Sequence, residues 1–298
     1  MDRSPAAAVA DTVERARWAE AAGYHRFRVA EHHAVPGIAS GSPAVLLAAV
    51  GAATHDIGLG TAGIMLPNHT PLLVAENALM LDALFPGRVD LGIGRSLGFT
   101  PPIRRALRTD TADGFADDLA ELLAFLDGTG PVTAQPAAHR PIPVSVLATG
   151  SGLEVAARLG LPVVVGGPAL ADPDRLRTYR RTFVPTATTP RPRVTVSADI
   201  LVADTDADAR VLALSEAVAM AESRRTGDFP RCGRSPRCRS SDREHSRWPS
   251  ARWRVRCSAA ARRFGASSRA WSSAPTRTRS CPRPPPSIAQ HSGLPTTP

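Results

Sequence analysis

Residues 58–96 read GLGTAGIMLPNHTPLLVAENALMLDALFPGRVDLGIGRS, and the pattern of this stretch decides the fold class. The apolar run at residues 57–66 predicts a buried strand. Residues 70–85 predict a helix, which begins with Thr-Pro and ends before Pro86-Gly87. Residues 88–94 predict a second strand. A strand–helix–strand unit of this length is typical of a parallel sheet with a helical crossover.

The same alternation continues on both sides of this stretch. It predicts a first helix at residues 11–22, opened by Asp11 and Glu14 as a capping box, and then six strands that are each followed by a helix. The predicted strands are residues 25–31, 57–66, 88–94, 142–148, 161–166 and 193–203. The helices after them are residues 43–54, 70–85, 113–126, 152–159, 173–183 and 206–224, with a Pro-containing loop between the third of these strands and its helix. This order predicts an α/β fold, either an open doubly wound sheet or a TIM (β/α)8 barrel that is two strands short.

The chain has 298 residues and a formal net charge of +9, and its positive charge is concentrated at one end. Residues 1–230 contain 21 Arg and 25 Asp or Glu, a net charge of −4, whereas residues 231–298 contain 15 Arg and two acidic residues, a net charge of +13. Only four residues of this tail are Val, Ile, Leu, Met or Phe, too few to bury a core. We therefore predict one domain at residues 1–230 and a disordered Arg/Ser/Pro-rich tail at residues 231–298.

Two interpretations of the tail stay open. It is either a nucleic-acid-binding arm or the product of a shifted reading frame in GC-rich DNA. The tail has no repeat and no Gly-aromatic pattern, which favours the shifted frame.

The cysteines bear on the compartment. All four lie beyond residue 230, so we expect no disulfide in the predicted domain and favour a cytoplasmic location. No apolar run reaches the roughly 18 residues that a membrane-spanning helix needs, and no signal-peptide pattern opens the chain. We therefore expect no membrane partner.

Two adjacent histidines, His32 and His33, end the first predicted strand in the sequence Ala30-Glu31-His32-His33. Neighbouring side chains on a strand point to opposite sides, so at most one of the two faces a pocket at the carboxyl end of the sheet. The alternative is that both are packed or solvated histidines. We expect no metal site, because the His-x-His spacing that would place two ligands on one side of a strand is missing.

Glycines and an arginine mark two further strand ends. Gly60 and Gly63 leave main chain exposed to a flat ring or, alternatively, to tightly packed side chains. Arg95 follows a Gly-rich strand, where a guanidinium suits bidentate binding of a phosphate. The small residues at 148–152 open a helix and could contact a phosphate with amides and hydroxyls. The stretch is neither a Walker loop nor a GxGxxG motif, so a nucleotide-binding motif of either kind is excluded.

These elements together carry a family resemblance. VAEHH at residues 29–33, followed by the run at residues 58–96 with its LP-x-x-x-P…AE…LD…PGR-x-D-x-G-x-GR spacing, closely resembles the bacterial luciferase-like flavin monooxygenases. The resemblance covers about residues 8–230. It is greatest to the two-component, FMN-dependent alkanal-monooxygenase-like group and smaller to the deazaflavin-dependent reductases.

The resemblance implies a TIM barrel that takes reduced FMN from a separate flavin reductase and uses O2 to oxygenate a small organic substrate. By position, His32 matches the catalytic histidine and Arg95 the arginine that binds the flavin phosphate. Ala62 and Gly63 match a non-prolyl cis peptide that supports the flavin ring. The family's phosphate-binding loop corresponds to Thr149, Gly150 and Ser151. Its first and last strands are not recognised in this sequence, so we expect an incomplete barrel with six of eight strands.

Other functions stay open from the sequence. The chain could be a non-catalytic flavin-binding protein, an inactive truncated homologue, or a nucleic-acid-binding protein that acts through its basic tail. A homodimer is one assembly open to it.

Overall fold

The computed structural model describes residues 4–35, 38–98, 100–109, 111–148, 150–211, 213–214, 217 and 221. The strands in this part of the chain are β1 (Arg26–Val29), β2 (Gly58–Thr61), β3 (Ile64–Met65), β4 (Val89–Gly94), β5 (Val144–Leu147), β6 (Val163–Val165) and β7 (Val194–Val196). The helices are α1 (Pro5–Ala21), α2 (Pro43–Ala52), α3 (Pro71–Leu84), α4 (Pro101–Leu107), α5 (Phe115–Leu126), α6 (Gly152–Arg158) and α7 (Pro173–Thr182). Two 3₁₀ turns lie at Leu66–Asn68 and Gly167–Ala171.

All strand pairs are parallel, and the strand order is β1-β2-β4-β5-β6-β7, with β3 paired to β4 beyond the end of β2. Since β2 and β3 together occupy one position, the sheet is a half-barrel with six strands. This confirms the predicted incomplete TIM-barrel fold, with one observed strand position for each of the six predicted strands. Within the described residues, the outer edges of β1 and β7 have no partner strand.

The main core lies between the sheet and its helices. In β4 the apolar residues Val89, Leu91 and Ile93 alternate with Asp90 and Gly92, which face the other side of the sheet. Buried residues of six helices pack in the same cluster, among them Leu47, Ala75, Leu122 and Ala156. Burying each large apolar side chain stabilises the fold by about 1.5–3 kcal/mol.

The opposite face of the sheet carries an ion pair between Arg28 and Asp90, and the packing of these side chains depends on Gly60. Arg28 in β1 pairs in register with Gly60 in β2, and Gly60 with Asp90 in β4. Arg28 reaches across the glycine and forms an ion pair with the buried Asp90, which also contacts Arg26. A Cβ on Gly60 would lie 2.8 Å from Arg28 Cγ. Gly60 therefore provides space for packed side chains, the second of the two interpretations that its position suggested.

The register changes where β2 gives way to β3. Gly60 pairs with Asp90, and Ile64 pairs with Ile93. The chain therefore advances four residues from β2 to β3 while β4 advances only three. This is a one-residue bulge. The Thr61 hydroxyl bridges it, since Oγ1 donates to the carbonyl of Gly92 and accepts from its amide, both at 2.8 Å.

Main chain approaches main chain at the bulge. A Cβ on Gly92 would lie 2.3 Å from the carbonyl oxygen of Thr61, and a Cβ on Gly63 would lie 2.5 Å from the carbonyl oxygen of Gly92. Both distances are too short for any residue but glycine. The close approach explains why the sequence is rich in glycine at these strand ends.

Several element boundaries differ from the sequence prediction. Helix α1 begins at Pro5, and its cap is Ser4, whose Oγ accepts from Ala7 N at 3.2 Å. The predicted start at the Asp11 capping box was therefore wrong, because a better cap and a proline at the first turn lie upstream. Helix α4 lies where a loop was predicted; its two prolines occupy the first turn, where they need no N–H partner.

The C-terminal part is shorter than predicted. The strand predicted at residues 193–203 spans only Val194–Val196. Residues 206–211, 213–214, 217 and 221 of the helix predicted at residues 206–224 are helical, and its other nine residues lie outside the described residues, as does the whole of the predicted tail. Among the described residues no helix is both long and apolar enough to span a membrane.

The bulge predicts a specific destabilisation. Gly92→Ala should lower the free energy of unfolding by about 1–3 kcal/mol, because its Cβ would overlap backbone that the Thr61 hydroxyl holds in place. Gly94→Ala is the matched control in the same strand, since its Cβ would make an ordinary contact of 3.5 Å with Ile64 O. Chemical denaturation of both variants measures the difference, and equal losses would contradict the close approach as the cause.

Candidate functional site

The carboxyl ends of neighbouring parallel strands meet at one edge of the sheet, where parallel α/β folds bind ligands. Arg95 directly follows β4. Residues 148–151 link β5 to α6, and the 3₁₀ turn Gly167–Ala171 follows β6. Since β4, β5 and β6 are adjacent, these three connections lie side by side.

Two of the predicted cofactor-binding residues contact each other at this edge. Arg95 Nη1 donates to Ser151 Oγ at 2.5 Å, and Arg95 Nε donates to the carbonyl of Ala112 at 3.4 Å. Both Arg95 and Ser151 are exposed, and Gly150 precedes Ser151 in the chain. Thr149, the remaining predicted residue of this loop, lies outside the described residues. The arrangement presents a guanidinium and a hydroxyl to an anion.

The Ala62–Gly63 peptide bond is cis, which the family resemblance implied for this position. Ala62 N donates to the carbonyl of Val29 at 2.6 Å, so the turn is attached to the end of β1. On its other side, Gly63 lies against Gly92 of β4 and the Leu147 side chain of β5. The cis peptide therefore sits at the same edge of the sheet, and its contact with a flavin ring stays a prediction.

His32 lies by a different opening. It lines a cavity of about 420 Å³ between β1 and α1, together with Asp11, Thr12 and Arg15 of the helix and with Arg28. None of the predicted cofactor-binding residues is among the described residues that line this cavity. The structure thus places His32 at the end of β1 and the predicted phosphate site at the ends of β4 and β5.

The environment of His32 favours its neutral form. Burial is the main cause that lowers the pKa of His32 below its ordinary value of 6.5; the neighbouring charge of Glu31 opposes this effect and His33 adds to it. A histidine with a lowered pKa is uncharged near pH 7 and can accept a proton. His33 turns away from this cavity, and its Nε2 donates to Glu31 Oε1 at 2.5 Å. The two histidines therefore differ in surroundings, but the cause is not the predicted strand alternation, because β1 ends at Val29 and both histidines lie in the loop that follows it.

Glu31 is the residue at this end of β1 that the sequence analysis did not assign. Its carboxylate is fully buried and accepts three hydrogen bonds, from His33 Nε2 at 2.5 Å, from His69 Nε2 at 2.7 Å and from Met65 N at 2.8 Å. The Glu31 carboxylate therefore connects the end of β1 to β3 and to His69, which follows the first 3₁₀ turn. We name Glu31, His33 and His69 the Glu31 cluster.

Hydrogen bonding decides the charge of Glu31. Burial by itself raises the pKa of a carboxyl group, but the hydrogen bonds from His69, Met65 N and His33 outweigh it, so the pKa of Glu31 is lowered from 4.5. The carboxylate is therefore ionised at neutral pH. The donor atoms of the Glu31 cluster all lie within 4.8 Å of one another, a set that a divalent cation could also use. The hydrogen bonds already satisfy the carboxylate, and we assign the cluster to that network.

No local pattern in the sequence could have identified the cluster. Glu31 and His69 are 38 residues apart, and His69 lies in a turn with no periodicity of its own. The one available signal was a carboxylate beside two histidines at the end of a strand predicted to be buried.

The lowered pKa of Glu31 predicts a pH-dependent stability. A group whose folded pKa is depressed stabilises the protein above its unfolded pKa, and this contribution is lost as the pH falls through the folded pKa. Glu31→Gln should lower the free energy of unfolding by about 1–3 kcal/mol at pH 7, and the difference from wild type should shrink as the pH falls below 4.5.

Glu14→Gln is the control for this measurement. Glu14 pairs with Arg17 on the exposed side of α1, so its substitution should change stability by less than about 1 kcal/mol. Denaturant titrations between pH 3.5 and 7 compare the two variants. A Glu31→Gln difference that stays constant over this range would contradict the ionised carboxylate.

Comparisons with known proteins agree with this geometry. The chain is similar to a luciferase-like monooxygenase of Escherichia coli K12, with 39% identity over 236 residues, which cover 75% of this chain and 70% of that protein. Its fold is similar to the crystal structure of apo-MsnO8, with a TM-score of 0.69, 36% identity and coverage of 76% and 70% of the two chains. It also resembles the fold of the oxygenating constituent of 3,6-diketocamphane monooxygenase from Pseudomonas putida in complex with FMN, with a TM-score of 0.60, 18% identity and coverage of 76% and 73%.

The family assignment rests on the greater part of the chain. The family described as luciferase-like monooxygenase matches residues 1–270. The E. coli relative and the parallel half-barrel agree with this match. The chain therefore belongs to the luciferase-like monooxygenase family.

Proposed function

We propose that this chain is a flavin-dependent monooxygenase that uses reduced FMN and O2 to oxygenate a small organic substrate. The observation that carries the proposal is the contact of Arg95 with Ser151 at the same edge of the sheet as the close approach of Gly63 to Gly92. Membership of the monooxygenase family supports it. The greater resemblance of the sequence to the FMN-dependent group than to the deazaflavin-dependent reductases is the reason to propose FMN.

The residues present fit a flavin mononucleotide. Its phosphate monoester needs a cation and hydrogen-bond donors, which Arg95 and Ser151 provide. Its ring needs an apolar, flat surface, and the backbone of Ala62 and Gly63 beside Leu147 offers one. The strand ends that carry these two parts are adjacent in the sheet, so one ligand can contact both.

The bound flavin would supply two electrons, with which one atom of O2 enters the substrate and the other leaves as water. The chain binds the phosphate with Arg95 and supports the ring with Ala62 and Gly63. His32 Nδ1 or Nε2, neutral near pH 7, accepts a proton and returns it to the leaving oxygen. We further propose a separate flavin reductase as the source of reduced FMN, a cytoplasmic location and a homodimer.

A non-catalytic flavin-binding protein is the second candidate. The unpartnered edges of β1 and β7 among the described residues favour it, because an open half-barrel excludes water less well than a closed barrel. Flavin binding without substrate-dependent O2 consumption would support this candidate and contradict the first.

The phosphate site predicts a loss of affinity in Arg95→Ala. Removing a charge-assisted hydrogen bond should weaken FMN binding by about 1.5–3 kcal/mol, roughly 10- to 150-fold. Riboflavin, which lacks the phosphate, should bind both proteins equally. Arg105→Ala, at an exposed position of α4, is the control. Quenching of flavin fluorescence gives the dissociation constants, and unchanged FMN binding by Arg95→Ala would overturn the assignment.

The proton-transfer role predicts a separation of binding from turnover in His32→Ala. A general acid–base group contributes about 10²- to 10⁴-fold to rate, so this variant should bind FMN normally but lose substrate oxygenation and release hydrogen peroxide instead. His55→Ala, whose side chain is 90% exposed, should behave as wild type. The ratio of product to O2 consumed measures the effect. A variant that loses FMN binding but keeps the turnover of its bound fraction would contradict the role.

A further inference from the structure

A second arginine lies beside the loop that Arg95 contacts. Arg175 is the third residue of α7, and its Nη1 lies 3.6 Å from the position that a Cβ on Gly150 would occupy. Arg95 reaches Ser151, the next residue of the same loop. Two guanidinium groups, from the end of β4 and from the helix after β6, thus approach adjacent loop residues.

Asp172 holds Arg175 in this position. Its Oδ2 accepts from Arg175 Nε at 2.9 Å, and its Oδ1 accepts from Arg175 N at 3.3 Å as the cap of α7. Because Asp172 engages the Nε edge of the guanidinium, the Nη1 edge is turned toward Gly150. The orientation comes from the aspartate and not from a contact with the loop itself.

The Arg175 guanidinium lies next to the backbone of this loop. A Cβ on Gly150 would make an ordinary contact of 3.6 Å with Arg175 Nη1. An anion that contacts Ser151 and Arg95 therefore has a second guanidinium nearby. Exposure of the Arg175 side chain, 55%, leaves the guanidinium accessible from solvent.

A second cation would complement the charge of the ligand. A phosphate monoester carries about −1.5 to −2 near pH 7, whereas Arg95 supplies a single positive charge. We propose that Arg175 is a second phosphate-binding residue and that, with Arg95, it selects the phosphomonoester of FMN over uncharged flavins. This inference rests on the proposed FMN site.

A neighbouring arginine provides a matched control. Arg177 lies two residues further along α7 and pairs with Asp174 at the same i,i+3 spacing as Arg175 with Asp172. Within the part of the chain that the structure describes, no atom of Arg177 lies within 4 Å of the position that a Cβ on Gly150 would occupy. The two positions therefore share helix, charge and pairing but differ in proximity to the loop.

The test measures dissociation constants of FMN and of riboflavin for the full chain, by fluorescence quenching at low and moderate salt. Arg175→Ala should weaken FMN binding roughly tenfold and lose part of the salt dependence, while riboflavin binding stays within twofold of wild type. Arg177→Ala should change neither constant. Arg175→Lys should keep part of the FMN affinity, because it keeps the charge but not the planar fork.

A double variant separates direct contact from an effect of Asp172. Arg175→Ala leaves the Asp172 carboxylate uncompensated near the phosphate, and Asp172→Asn/Arg175→Ala removes that carboxylate as well. The double variant should still bind FMN more weakly than wild type. Wild-type FMN affinity of the double variant would show that the loss in Arg175→Ala came from the freed carboxylate, and would overturn the direct contact. The basic tail is present in every variant, so any FMN that it binds does not affect the comparison.

Other outcomes are equally decisive. FMN binding by Arg175→Ala within twofold of wild type would overturn the role of Arg175 and leave that of Arg95 intact. Equal losses for FMN and riboflavin would show a structural role and overturn the inference. A wild-type protein that binds no FMN would instead contradict the proposed function itself.

Discussion

The buried carboxylate of Glu31 is the interaction on which this end of the molecule depends. It is held between His33, His69 and the amide of Met65, so one side chain connects the end of β1, the end of β3 and the turn before α3. An ionised carboxylate in such a place is stable only while its hydrogen bonds are complete, because an unpaired buried charge is strongly destabilising. The network therefore specifies the position of the cis peptide between β2 and β3 relative to His32.

A second constraint acts a few residues away, where β2 and β4 approach so closely that only glycine fits. The Thr61 hydroxyl takes over the hydrogen bonds of Gly92 that a regular ladder would have satisfied. The bulge lets the chain turn at Ala62–Gly63 while β3 still pairs with β4. A surface of bare backbone results at the carboxyl edge of the sheet, which suits a flat ligand better than side chains would.

The two constraints divide the proposed chemistry between two places. Anion binding belongs to the ends of β4, β5 and β6, where arginines approach a short loop from both sides. Proton transfer belongs to the end of β1, where burial keeps His32 uncharged. The cis peptide lies between them, attached to β1 by Ala62 N and packed against Gly92 of β4.

The sequence by itself determined the strand–helix alternation, the six strand positions, the family and the two residues most directly tied to strand ends, His32 and Arg95. These follow from local periodicity and from motifs whose spacing is contiguous along the chain. Only the tertiary structure decided that Glu31 pairs with His69, that Gly60 makes room for Arg28 and Asp90, and that Arg175 reaches the loop of Gly150. Each of these contacts joins residues that are 25 or more positions apart, and their proximity results from the order of the strands. Sequence patterns report which face of an element is buried, whereas the partner that a buried polar group finds there depends on which elements become neighbours.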